Sequence, residues 1–131
     1  MGQLKLVIIE DEDAHFQLMK RAILVAYPDA SIHYFQEAAG CLESLDEINP
    51  ELIIADYLLP GMNGIEFLET LNREKRDIPV IIITGQGDEY IAIRAMKLGA
   101  WDYLVKSGDF FTLIPSVIGK VVREWKLKET L

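Results

Sequence analysis

The chain has 131 residues, half of them hydrophobic, which suits a single domain (1–131) built around one core. A formal net charge of −8 and a pI near 4.7 disfavour direct binding to nucleic acid or to acidic lipid and leave basic partners open. Cys41 is the lone cysteine, so an internal disulfide is excluded; no stretch has membrane-spanning length, and the apolar run after Met1 is too short for a signal peptide. The expectation is a soluble cytoplasmic domain with no membrane partner.

Leu4 to Ile9 is an unbroken aliphatic run that reads as a strand buried on both faces, and it stops in Glu10-Asp11-Glu12-Asp13. Such an acidic run is ordinarily a solvated loop. Here it ends a buried strand and opens a helix, which makes it a candidate functional cluster. Ala14, Leu18, Ala22, Val25 and Ala26 then recur at helical spacing, with Asp13 the expected cap and Tyr27-Pro28-Asp29 the end. Ser31 to Phe35 is a short, more polar strand suited to an outer position. Glu37 to Ile48 predicts a second helix with Gly40 a weak point inside it, ending before Asn49-Pro50.

Leu52 to Ala55 is a third strand without alternation, ending at Asp56. Pro60-Gly61 and Asn63-Gly64 follow as turn signals. Ile65, Leu68 and Leu71 give the next helix its apolar face, and Arg73 to Asp77 its charged exit. Ile78 to Ile83 predicts a fourth strand terminating at Thr84-Gly85. Tyr90 to Leu98 predicts a fourth helix, closed by Gly99 in a left-handed cap. Tyr103 to Val105 is a short strand before Lys106. In the last helix Ile114, Ile118, Val121 and Trp125 form an amphipathic stripe, and Pro115 favours a start at Thr112 over Asp109. Five strands alternating with five helices predict an α/β fold with a parallel sheet covered on both faces.

In a parallel sheet the strand ends lie on one edge, so Glu10-Asp11, Asp56, Thr84 and Lys106 converge despite their separation in sequence. Three carboxylates at close range repel unless a cation neutralises them. Oxygen ligands with no His or Cys among them describe a Mg²⁺ site, with bonds of roughly 2.0–2.1 Å. Metal, ammonium and hydroxyl around a carboxylate are the parts that stabilise a phosphoryl group in transfer, with Asp56 the nucleophile.

Four segments in order (Val7-Ile8-Ile9-Glu10-Asp11-Glu12, Asp56 to Gly64, Ile81-Ile82-Ile83-Thr84-Gly85 and Gly99 to Lys106) give the chain a resemblance to the receiver domains of the two-component response-regulator family over nearly its whole length. The resemblance implies a flavodoxin-like, doubly wound five-stranded sheet of order 2-1-3-4-5. It implies a signalling switch, not a turnover enzyme, that takes a phosphoryl group from a sensor histidine kinase or a histidine phosphotransfer protein. Asp56 is then the acceptor, and Glu10, Asp11 and Asp56 hold Mg²⁺ with the Leu58 backbone carbonyl. Thr84 and Lys106 contact the phosphoryl oxygens, and Tyr103 is the aromatic that turns inward as Thr84 moves. The fourth helix, fifth strand and fifth helix are the responding surface.

Two positions depart from the family's commonest pattern. Ser107 follows Lys106 where proline is usual, and a non-proline cis bond costs about 2.5–4 kcal/mol, so a trans peptide and a differently shaped loop are expected. Gly85 follows Thr84 and should leave the acceptor open. His15 reads as an ordinary, partly exposed helix residue, a proton relay near the acidic cluster being the alternative. His33 and Cys41 read as structural. Trp101 either anchors a partner or covers the sheet edge. Phe111 and Val122 lie off the main stripe of the last helix and could face a second copy in a homodimer. The chain is expected to be either a stand-alone receiver or one domain of a longer signalling protein. Two competing functions are a phosphorylation-independent module of the same fold and a Mg²⁺-dependent aspartyl phosphohydrolase. The hydrolase typically needs an acid/base aspartate two residues after the nucleophile, where Leu58 stands.

Overall fold

The computed structural model describes residues 3–130. Five strands, β1 (Lys5–Ile9), β2 (Ser31–Phe35), β3 (Leu52–Asp56), β4 (Val80–Thr84) and β5 (Asp102–Val105), form one sheet of order β2-β1-β3-β4-β5 with every neighbour parallel. The helices α1 (Asp13–Ala26), α2 (Ala38–Ile48), α3 (Gly64–Arg73), α4 (Glu89–Lys97) and α5 (Phe110–Thr130) fill the crossovers.

Strand residues alternate between two cores, as the period-2 geometry of a strand requires. Val7, Ile9, Ile53, Ala55, Val80 and Ile82 face one side and pack with Cys41 and Leu45 of α2, Phe67 and Leu68 of α3 and Ala95 of α4. Leu6, Ile8, Leu52, Ile54, Ile81 and Ile83 face the other and pack with Phe16, Met19 and Ile23 of α1 and Ile114, Ile118 and Val121 of α5. The aliphatic runs show no alternation because both faces are covered. β2 is an edge strand, half-buried along its length, as its polar composition implies.

Three local expectations are corrected. The face that α1 buries carries Phe16, Met19 and Ile23, whereas Leu18 and Val25 stand exposed. Taken together, Phe16, Met19 and Ile23 bring more apolar area to the sheet than a stripe rich in alanine. The cap of α1 is Glu12, not Asp13, and makes no side-chain cap bond. The last helix begins at Phe110, with Pro115 inside it. Phe110 is buried against the α1 side of the sheet, and Thr112 and Leu113 N–H both bond to the Asp109 carbonyl. Burying that ring outweighs the single helical bond that Pro115 cannot donate. Phe111 and Val122 also pack partly on this core. Trp101 sits edge-on to Trp125, ring centroids 5.6 Å apart, and helps cover that face.

Candidate functional site

The chain between β3 and α3 fixes the geometry around Asp56. Asn63 and Glu66 form a reciprocal capping box at the start of α3. Gly64 N–H bonds to the Tyr57 carbonyl at 2.9 Å, so α3 begins against the backbone leaving β3. A Cβ at Gly64 would lie 2.9 Å from the Asp56 carbonyl oxygen and 3.0 Å from Tyr57 Cα. Only glycine permits that approach.

Glu10, Asp56, Thr84 and Lys106 sit at or one step beyond a strand end, where the backbone is still tied to the ladder, and Asp11 lies one residue further on. Glu10 N–H bonds to Phe35 O at 3.0 Å, Tyr57 N–H to Ile83 O at 2.7 Å, and Lys106 N–H to Thr84 O at 2.7 Å. From the edge position after β5, the Lys106 side chain reaches across β4. Its Nζ lies 2.5 Å from Asp56 Oδ2 and 2.7 Å from Glu10 Oε1. The other oxygen of Asp56 accepts from Leu58 N–H at 3.0 Å. Glu10 Oε2 accepts from Glu12 N–H at 3.2 Å.

Two of the carboxylates are out of water, Glu10 at 0 % exposed and Asp56 at 4 %, whereas Asp11 is exposed. Burial pushes the Glu10 carboxyl up to about 7, further than the Lys106 hydrogen bond pulls it down. Burial also works against charge on Lys106, but its bonds to Asp56 and Glu10 more than offset this and raise its pKa. Oxygens of Glu10, Asp11 and Asp56 lie within 4.8 Å of one another. One ammonium cannot balance three acids, and an oxygen-only donor set suits a hard divalent ion such as Mg²⁺ rather than Zn²⁺.

Thr84 is buried at the end of β4, but its hydroxyl donates to the Gln86 carbonyl (3.2 Å) within its own turn. Tyr103 Oη accepts from Asp88 N–H at 3.3 Å and so is tied to the cap of α4. Among the described residues no peptide bond is cis, so Lys106-Ser107 is trans. Sequence reasoning gave His15 too little weight: Nδ1 lies 3.0 Å from Lys106 Nζ. The available signal was its place in the first turn of a helix that opens directly above β1. His33 meets the Ser31 hydroxyl of its own strand, at 3.2 Å, and Cys41 lies on the buried face of α2.

The profile of the "Response regulator receiver domain" matches residues 6–117. The methanogenesis regulatory protein FilR1 of Methanothrix harundinacea is 32 % identical over 128 residues, 95 % of this chain and 29 % of its own length. The transcriptional regulatory protein FixJ of Azorhizobium caulinodans is 34 % identical over 110 residues, 84 % of this chain and 51 % of its own. This chain therefore spans between about three-tenths and half of these relatives. Among solved structures, a DNA-binding response regulator of the LuxR family from Staphylococcus aureus superposes with a TM-score of 0.82 at 26 % identity, covering 91 % of this chain and 98 % of that one. No described helix is long and apolar enough to cross a membrane. A parallel sheet of this strand order, an acidic cluster closed by a lysine at its carboxyl edge, and a family match over residues 6–117 lead to one conclusion: the chain belongs to the response regulator receiver domain family.

Proposed function

We propose that Asp56 is the phosphoryl acceptor of a two-component phosphorelay in the cytoplasm, charged by the phosphohistidine of a sensor kinase or a phosphotransfer protein. The observation that carries this is the Lys106 ammonium held between Asp56 and Glu10 at 2.5 and 2.7 Å, inside a three-carboxylate cluster. A carboxylate oxygen of Asp56 forms the bond to phosphorus as the phosphorus–nitrogen bond of the donor breaks, and the departing imidazole nitrogen keeps the electron pair. Lys106 meets the charge on the phosphoryl oxygens, and the Leu58 N–H steadies the second carboxylate oxygen. Glu10, Asp11, Asp56 and the Leu58 carbonyl would hold Mg²⁺, which when bound neutralises the oxygens in transfer.

Thr84 would have to leave the Gln86 carbonyl to reach the new phosphoryl group, and Tyr103 to release the α4 cap. That rearrangement would alter the surface of α4, β5 and α5, which signals to partners and, in this reading, is where a homodimer through α5 responds. Leu58 has no group to move a proton, so the acyl phosphate should be long-lived.

Intact mass measured after incubation with Mg²⁺ and a small acyl-phosphate donor tests this. One phosphoryl group should be gained, and Asp56→Asn should abolish the gain. No gain together with no Mg²⁺ binding would mean a phosphorylation-independent module. Continuous release of inorganic phosphate would mean a hydrolase.

A further inference from the structure

Lys106 touches a group besides the two carboxylates. His15 Nδ1, on the first turn of α1, lies 3.0 Å from Lys106 Nζ and 2.9 Å from Glu12 Oε2, with Glu10 Oε1 further off at 3.9 Å. One ring nitrogen cannot serve both near neighbours. An ammonium only donates and a carboxylate only accepts, so Nδ1 meets Lys106 with its lone pair or Glu12 with a hydrogen.

Burial decides between them. The Glu12 side chain is 60 % exposed and can turn to water, whereas that of Lys106 is 4 % exposed. An ammonium has three donors, and a buried donor left without an acceptor is costly. Glu10 Oε1, Asp56 Oδ2 and His15 Nδ1 together supply three acceptors.

We propose that His15 is a positioning residue for Lys106, holding the ammonium at the site through the Nδ1 lone pair. The inference rests on the reading of Asp56 as a phosphoryl acceptor. A cation drawn to the acidic cluster competes with the ammonium for the oxygens of Glu10 and Asp56. A lysine stem released from both regains its rotamer freedom and drifts toward water. His15 offers no carboxylate oxygen to such a cation and keeps the ammonium beside Asp56 until phosphoryl oxygens arrive to accept from it.

Two variants separate this from a packing role beside Phe111, whose ring centroid is 6.0 Å from that of His15. His15→Leu keeps bulk without an acceptor, and His15→Asn returns an acceptor near the place of Nδ1. With saturating Mg²⁺ and an acyl-phosphate donor, mass gain should be about tenfold slower in His15→Leu, the factor for losing one hydrogen bond to a charged group. His15→Asn should stay within about twofold of the unaltered protein, a loss too small to register as a missing hydrogen bond. The chain has two histidines, so imidazole ¹⁵N spectra are simple to assign. In the unaltered protein His15 Nδ1 should carry no hydrogen, and Lys106→Met should shift that signal. An Nδ1 that carries hydrogen, or equal rates in His15→Leu and the unaltered protein, overturns the inference. If the unaltered protein gains no phosphoryl group, the acceptor reading fails instead, and the Nδ1 signal still decides whether His15 holds Lys106.

Discussion

Lys106 is the counter-charge for two buried carboxylates and, in the proposed function, the cation that meets the phosphoryl group. These roles have separable signatures. Lys106→Met should stop phosphoryl gain and also lower stability by roughly 3 kcal/mol, because Glu10 and Asp56 then stay buried unpaired. Saturating Mg²⁺ should restore much of that stability without restoring phosphoryl gain, as urea midpoints with and without the ion would record. Glu10 sets a pH dependence of its own. Its folded-state pKa of about 7 lies above the ordinary 4.5, so the folded protein binds more protons than the unfolded chain between those values. That contribution is fully present below about 4.5 and is lost as pH rises through about 7. Stability without Mg²⁺ should therefore decline over that window, and Glu10→Gln should flatten the curve in thermal melts.

The elements around the site are held by contacts with little room to yield. Gly64→Ala would drive a methyl group into backbone atoms of Asp56 and Tyr57, which cannot rotate away. A cost of about 1–3 kcal/mol is expected, with slower phosphoryl gain because Asp56 must shift. Phe110→Ala should cost about 3–5 kcal/mol and fray the first turn of α5, read by amide exchange at Phe111 to Leu113. That turn was illegible in the sequence because Pro115 argues against it locally, whereas the burial that secures it depends on the core shared with α1 and the sheet. The face of α1 was misread for a related reason. Ala14, Leu18, Ala22, Val25 and Ala26 recur at a valid helical spacing, but the sheet selects the bulkier Phe16, Met19 and Ile23. Tyr103 was legible by position, yet its hydroxyl bond to Asp88 depends on a loop the pattern does not describe.

Across the whole molecule the sheet was the most readable part. Strands covered on both faces have no polar side, so the runs at Leu6–Ile9, Leu52–Ala55 and Ile81–Ile83 stand out without homologues. Strand polarity then brings Glu10, Asp56, Thr84 and Lys106 to one edge by topology alone. What topology does not specify is which of them touch. Lys106 reaches past its neighbour β4 to β3 and β1, while Thr84, nearer in the sheet, bonds within its own turn.

The reach of Lys106 also bears on how the protein folds. Its bond to Glu10 joins residues 96 apart in sequence, and its bond to Asp56 residues 50 apart. Closing so long a loop is unfavourable until the intervening chain is ordered, and the sheet between β1 and β5 can be ordered only once β3 and β4 are paired. The lysine strap is thus among the last contacts to form, and the cluster around Asp56 is assembled only in a finished fold. After dilution from urea, competence for phosphoryl gain should return no faster than the slowest phase of the backbone signal. In the proposed function, a chain still folding, or one truncated before Lys106, would take no phosphoryl group rather than be wrongly switched on.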